Sequence, residues 1–299
     1  MAEIREHATD ARRKVRAAAV APASRREPGH PFADVLCAVD GTRPSFAAVE
    51  QAAQLVGPNG HLTLLAVTAP RGAGRFRSAA LGSLRVGRVM ERACEIAQRS
   101  EVPFTPVVDP DGPPAEVIAE RARDHDLLAI GAPTHSSFGS FGGSVAVETL
   151  RTFTTPLLLA RSCAGQPVAQ TIVVASDGSE GSDALVGLAG ELAGETCGRI
   201  VLVHAQGSES NAHPHRVLAQ KALLEHICGD RARTTIEPSD VCELIEQVVD
   251  AQNATLAVLG SRRASELGAM LGSVSRRAVR TLGCSVLVIP PDRLRADRV

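Results

Sequence analysis

Short, unbroken apolar runs recur along the chain, separated by stretches whose apolar residues follow a helical period. The runs fall at residues 34–39, 62–67, 127–131 and 156–160, and again at 171–175, 199–204, 255–259 and 285–289. Runs this short and continuous predict strands buried on both faces, as in a parallel sheet. Between them, Val241, Leu244, Ile245, Val248 and Val249 form one stripe along an amphipathic helix, with Ser239 just ahead as its expected N-cap. Leu185, Leu188, Ala189 and Leu192 repeat that spacing in an earlier helix. Alternating strands and helices predict an α/β fold, a parallel sheet with right-handed crossovers and helices on both faces.

The pattern is duplicated. Val35-Leu36-Cys37-Ala38-Val39-Asp40-Gly41-Thr42 matches Ile172-Val173-Val174-Ala175-Ser176-Asp177-Gly178-Ser179, and Leu127–Gly131 matches Leu256–Gly260. Gly139, Gly143-Ser144-Val145 and Arg151-Thr152 match Gly268, Gly272-Ser273-Val274 and Arg280-Thr281. The first strands are 137 positions apart (177 − 40) and the later elements 129 (260 − 131), so the second repeat is eight residues shorter in between. The expected organisation is an N-terminal arm over 1–31, a first domain over 32–162, a linker over 163–169, a second domain over 170–291 and a tail over 292–299. The arm carries seven basic and four acidic residues and reads as solvated and partly helical.

Composition narrows the function classes. With 32 Lys+Arg against 33 Asp+Glu, the 299-residue chain lacks the basic excess of a nucleic-acid binder. Trp and Tyr are absent, which removes most stacking platforms for single strands. No apolar run is long enough to span a bilayer, and the first thirty residues hold no uninterrupted apolar core of a secretory signal, so the expected compartment is the cytoplasm. The seven cysteines, an odd number without C-x-x-C spacing, read as reduced and mostly buried. His213-Pro214-His215 with His204, His226 and Cys228 lacks metal-ligand spacing, and only two lysines, Lys14 and Lys221, are available for phosphoryl chemistry.

Ligands of open α/β sheets bind outside the carboxyl ends of the strands. Asp40 and Asp177 follow the first strand of each repeat, each succeeded by glycine and a hydroxyl residue. Such a carboxylate either accepts from a ribose hydroxyl or an amine, or closes an Asx-turn ahead of the next helix. After the strand ending at Gly131, a Gly- and Ser-rich segment runs to Gly143-Ser144 and into a helix. Glycines permit close approach of an anion, helix N-terminal N–H groups favour it, and Ser144 serves either as cap or as phosphate donor. The same segment without a ligand is an ordinary Gly-rich connection.

These motifs, in order and twice over, make the chain resemble the universal stress protein family in its tandem two-domain form, over roughly residues 33–291. The resemblance implies two Rossmann-like domains of the adenine nucleotide alpha-hydrolase type, paired through their last strands, here 156–160 and 285–289. It also implies binding of ATP, with or without magnesium, by a G-x2-G-x9-G-[S/T] loop. Carried over position by position, Asp40 and Val67 flank the adenosine, Gly131 the ribose and phosphates, and Gly143, Ser144 and Val145 the phosphates. The second repeat supplies Asp177, Ala205, Gly260, Gly272, Ser273 and Val274. The chain departs from the motif at its second glycine, which is Thr134 in one repeat and Arg263 in the other. Its spacing to the next Gly-Ser pair is eight residues rather than nine. Thr134 and Arg263 would instead offer a hydroxyl and a guanidinium to phosphate. The expected function is a stress-response module that binds an adenine nucleotide without catalysing a reaction; the alternatives are a nucleotide-independent scaffold and a slow ATPase. Further homodimerisation is compatible with this reading but is not legible in the sequence.

Overall fold

The computed structural model describes residues 31–68, 83–110, 112–132, 145–162, 165–206, 214–261 and 272–291. The expected N-terminal arm, the Gly-rich segment with Thr134, Gly143 and Ser144, Arg263 and the C-terminal tail lie outside these residues, apart from Pro31. The first repeat runs β1 Asp34–Ala38, α1 Arg43–Leu55, β2 His61–Val67, α2 Ser83–Arg99, β3 Phe104–Asp109, α3 Pro114–Ala122, β4 Leu127–Gly131, α4 Val145–Thr152 and β5 Leu157–Ala160. The second runs β6 Thr171–Ala175, α5 Glu180–Glu195, β7 Arg199–Ala205 and α6 Pro214–Cys228. It continues through β8 Ala232–Glu237, α7 Val241–Gln252, β9 Leu256–Gly260 and α8 Ser273–Thr281 to β10 Ser285–Ile289.

The ten strands of the described residues join one sheet in the order β3-β2-β1-β4-β5-β10-β9-β6-β7-β8. Pairing is parallel inside each repeat. At the centre β5 and β10 pair antiparallel, Leu157 with Val288, Leu158 with Leu287 and Leu159 with Val286. The last strands thus cover each other's edges within one chain.

Two strands, β3 and β8, are additional to the eight apolar runs. Both lie at the outer edges and are only half-covered, so Phe-Thr-Pro-Val-Val-Asp and Ala-Arg-Thr-Thr-Ile-Glu mix polar with apolar positions and form no buried run. The N-cap of α7 is Asp240, not Ser239. Its carboxylate accepts from Cys242 N (3.0 Å) and Glu243 N (3.1 Å), whereas Ser239 Oγ donates to the Asp240 carbonyl (3.2 Å).

Two apolar layers run across both repeats. One packs α1, α2, α5 and α6 on the sheet through residues such as Val49, Ala93, Leu192 and Leu224. The other packs α3, α4, α7 and α8 through Ile118, Leu150, Ile245 and Val279. Leu158 and Leu287 enter the first layer, and Leu157, Leu159, Val286 and Val288 the second. Each fully buried leucine contributes about 2 kcal/mol of transfer free energy, so the seam is part of the core rather than a contact added to it.

A polar cluster locks that seam. Arg161, just past β5, is the bulkiest fully buried side chain among the described residues. Its Nη1 donates to the Cys284 carbonyl (2.7 Å) and its Nη2 to the Val279 carbonyl in the last turn of α8. The Arg161 N–H donates to Ser285 Oγ (3.0 Å), Gln51 Nε2 donates to the Arg161 carbonyl (2.5 Å), and Ser285 Oγ donates to Gln51 Oε1 (2.7 Å). A cation from the first repeat therefore satisfies a C-terminal helix carbonyl of the second, where the helix dipole favours positive charge.

Candidate functional site at the carboxyl edge

Registers place the expected residues at one level. Ala38 pairs with Leu65 on β2 and with Ile130 on β4, so Asp40, Val67 and Gly131 end three adjacent strands. Ala175 pairs with Val203, and Val174 with Val258, which aligns Asp177, Ala205 and Gly260 in the same way. In each repeat the winding reverses beside the first strand, between β1 and β4 or between β6 and β9. That reversal opens the crevice in which ligands of doubly wound sheets sit.

The turn after each first strand has a repeated hydrogen-bond pattern. Asp40 Oδ1 accepts from Thr42 N (2.9 Å) and Thr42 Oγ1 (2.6 Å), Thr42 Oγ1 accepts from Ser45 N (3.3 Å), and Asp40 N donates to Ser45 Oγ (3.4 Å). Asp177 Oδ1 accepts from Ser179 N (3.0 Å) and Ser182 Oγ (2.5 Å), and Asp177 N donates to Ser182 Oγ (3.3 Å). Gly41 and Gly178 bridge these turns at φ +83° and +70°, the left-handed region that glycine enters freely. Both carboxylates are exposed, and each uses one oxygen to hold its own loop. Ser45 and Ser182 carry as much of this geometry as the aspartates, and their shared offset of 137 (182 − 45) was the available sequence signal.

Gly131 lies against the start of α1. A methyl group there would stand 2.3 Å from Pro44 C and Ser45 N and 2.6 Å from Pro44 O. This position therefore needs glycine for backbone packing, whatever it also contributes to a ligand. Val67 is buried at the end of β2, and Ala205 is half-buried at the matching place.

In the second repeat the helix that faces the crevice is described from its start. Gly272 is the N-cap of α8 (φ −58°, ψ 164°), and Ser273, exposed, is the first helical residue rather than the cap. The first helical hydrogen bond runs from Arg276 N to Gly272 O (2.9 Å), leaving the N–H groups of Ser273, Val274 and Ser275 without carbonyls inside the helix. Ser275 Oγ donates to Gly260 O (2.7 Å) and ties this helix to the end of β9. Ser261, next along from Gly260, is 4% exposed, and its hydroxyl has no hydrogen-bond partner among the described residues. Neither serine stands out in the sequence. In the first repeat, Val145 opens α4 and packs partly on the second apolar layer.

Beneath the two turns the repeats differ. In the second, Ser176 Oγ donates to Gln220 Oε1 (2.6 Å) and accepts from Gly178 N (3.0 Å), and Gln220 Nε2 donates to Asp183 Oδ1 (2.7 Å). His204 Nδ1 lies 2.9 Å from the Ser176 carbonyl, which can only accept, so this nitrogen carries the proton. The matching residues of the first repeat, Val39, Ala66 and Phe46 for Ser176, His204 and Asp183, are apolar. The two crevices thus have different floors.

Among the described residues no three His, Cys, Asp or Glu side chains are grouped to hold a metal ion, and no helix is long and apolar enough to cross a membrane. Among the described cysteines, Cys37, Cys228 and Cys284 are buried and Cys197 is exposed. Burial pushes the thiols of Cys37, Cys94, Cys228 and Cys242 up, which keeps them protonated at neutral pH.

The fold has close counterparts. A universal stress protein from Archaeoglobus fulgidus DSM 4304 superposes with a TM-score of 0.65 at 20% identity, over 87% of this chain and 99% of that one. A functionally unknown protein from Pseudomonas aeruginosa PAO1 gives 0.65 at 18% identity, over 88% and 94%. At such identities the likeness speaks to the fold. No curated protein matches the chain significantly. The model of the universal stress protein family matches twice in succession, over residues 31–161 and 169–290. The chain therefore belongs to the universal stress protein family and carries two of its domains in tandem.

Proposed function

We propose that this stress protein binds an adenine nucleotide, ATP being the expected form, at the carboxyl edge of one or both repeats and acts as a regulatory module without turnover. The observation that carries the reading is the second-repeat crevice. α8 opens with three N–H groups and the exposed Ser273 hydroxyl, Ser275 ties it to the end of β9, and the buried Ser261 hydroxyl, without a partner among the described residues, directly follows that strand. That is a donor set suited to phosphate oxygens. Asp177 and Ala205, on the adjacent strand ends, face the adenosine side in this reading, as Asp40 and Val67 do in the first repeat. Gly260 and Gly131 lie toward the ribose, and Gly143, Ser144 and Val145 repeat the phosphate donors. Thr134 and Arg263 add a hydroxyl and a guanidinium. Magnesium, if it accompanies the nucleotide, is held mainly by phosphate oxygens and water.

One observation favours the nucleotide-independent scaffold. Asp40 and Asp177 already spend one carboxylate oxygen on their own turns. Substituting Gly272 by aspartate separates the two readings. The φ of −58° suits any residue, and aspartate is a good N-cap, so the fold is retained. Its charge sits where phosphate would bind. With the matching Gly143→Asp in the first repeat, titration with ATP should show affinity reduced at least about tenfold, equivalent to 1.4 kcal/mol, with the unfolding midpoint close to wild type. Unchanged affinity would remove the phosphate role of these helix starts.

A further inference from the structure

The two outer edges of the sheet are built differently. Along β3, Pro103 O accepts from Leu62 N and Asp109 O accepts from Thr68 N. Residues 103, 105, 107 and 109 therefore turn their backbone groups inward, and 104, 106 and 108 turn theirs outward. Pro106 has no N–H and interrupts the outward row, a familiar guard against edge pairing. Along β8, Glu237 O accepts from Gln206 N (2.8 Å), so Arg233, Thr235 and Glu237 face β7, while Ala232, Thr234 and Ile236 turn their backbone groups outward. No proline interrupts this row.

Exposed apolar side chains concentrate on the same flank. Among the described residues the large exposed hydrophobics are Leu218 (60%), Leu223 (39%) and Ile236 (37%), all on α6 and β8. A methyl at Gly190 of α5 would meet Leu224 and Ile227, so α5 covers that flank of α6. Leu218, nine residues before Ile227, lies half a turn away at about 100° per residue and points away from α5. Ile236 lies on the α6 side of the sheet, since its partner in the ladder, His204, shares a face of β7 with Ile200 and Leu202, which pack in the α5–α6 layer. Leu218 and Ile236 thus flank the outer edge, whereas Leu223 sits on the α5 side of the helix.

We infer that β8 pairs antiparallel with β8 of a second copy of this chain, extending the sheet across a molecular two-fold axis. The sequence of the strand selects the register. When Thr234 faces Ile236 of the other copy, both residues have outward backbone groups and exchange N–H···O bonds, while Thr235 faces its own counterpart. Arg233 then faces Glu237 twice, an opposite-charge cross-strand pair on the α7 side. Slipping by two residues either way puts Arg233 or Glu237 opposite Thr235 and loses both pairs. On the opposite face, the pairing covers the Ile236 side chains and brings the Leu218 flanks together. This interface is separate from the β5–β10 seam, which lies within each chain, and from both crevices.

The test uses the full chain without added nucleotide. Analytical ultracentrifugation across micromolar concentrations should show a monomer–dimer equilibrium. Arg233→Glu should weaken it by roughly tenfold or more, because two attractive pairs become repulsive, and Arg233→Glu combined with Glu237→Arg should restore it. Under mild oxidation Thr235→Cys should form a 235–235 disulfide, identified by peptide mass spectrometry. Directly opposed residues of a non-hydrogen-bonded pair lie about 4.5 Å apart at Cα, within disulfide reach. A chain that stays monomeric overturns the inference. So does a dimer indifferent to Arg233→Glu and lacking the 235–235 link, because it would use another surface. Occupation of β8 by an unrelated extended peptide, with no self-association, would likewise exclude the second copy as its partner.

Discussion

Gly131→Ala is expected to destabilise the first repeat by about 3 kcal/mol, read as a lowered midpoint in urea with little change of slope. The cost arises from backbone meeting backbone. The new methyl would stand 2.3 Å from Pro44 C and Ser45 N, neither of which can move aside by changing rotamer. Relief requires α1 to lift from β4, and Val49, Ala52 and Leu55 on that helix are fully buried. The same movement pulls Ser45 away from Asp40, so the turn closing the crevice loosens with it. A loss of nucleotide affinity in this variant would accordingly report packing as much as ligand contact, which is why Gly272 is the cleaner probe. Near-wild-type stability would show that α1 shifts easily and that Gly131 is not held by this contact.

Arg161→Met is expected to cost roughly 3 kcal/mol and to make the two repeats unfold less cooperatively. Two effects oppose each other. Removing a buried cation relieves its desolvation, which favours the variant. It also strips donors from the buried Cys284 carbonyl and from the Val279 carbonyl at the end of α8, and each orphaned acceptor costs about 1–3 kcal/mol. Methionine fills much of the volume but donates nothing. The main-chain bonds of residue 161 to Ser285 and Gln51 do not depend on the side chain, so the substitution isolates the guanidinium. Hydrogen exchange should quicken first in the last turn of α8. Equal or higher stability would mean that burying the charge outweighs its bonds, as happens at some buried ion pairs.

The interior of the sheet was legible because buried parallel strands write themselves as apolar runs. The repeat fixed their correspondence, and β5 and β10 sit where the resemblance put them. The edge strands were not legible, since Pro106 and Arg233 occupy positions that no core selects. Arg161 escaped for a different reason. An arginine beside a linker reads as solvated, and its partners Val279, Cys284 and Ser285 lie more than a hundred positions along the chain. At the crevice the aspartates stood out by their repetition. Ser261 did not, because its significance is a hydroxyl buried without a partner among the described residues, a property that exists only in three dimensions. The Ser239 reading failed through competition between adjacent cappers, the carboxylate of Asp240 accepting from two N–H groups where a hydroxyl would take one.

The most direct test of nucleotide binding uses the absence of Trp and Tyr, which leaves seven phenylalanines as the aromatic chromophores. The near-ultraviolet spectrum of protein freed of nucleic acid should be dominated by adenine absorbance near 260 nm. This should hold either as purified or after incubation with ATP and magnesium followed by desalting. Denaturation should then release an adenine nucleotide, identified by mass spectrometry, at one or two per chain. A bare phenylalanine spectrum under both conditions, together with no saturable signal on titration with ATP, would contradict nucleotide binding and leave the scaffold reading.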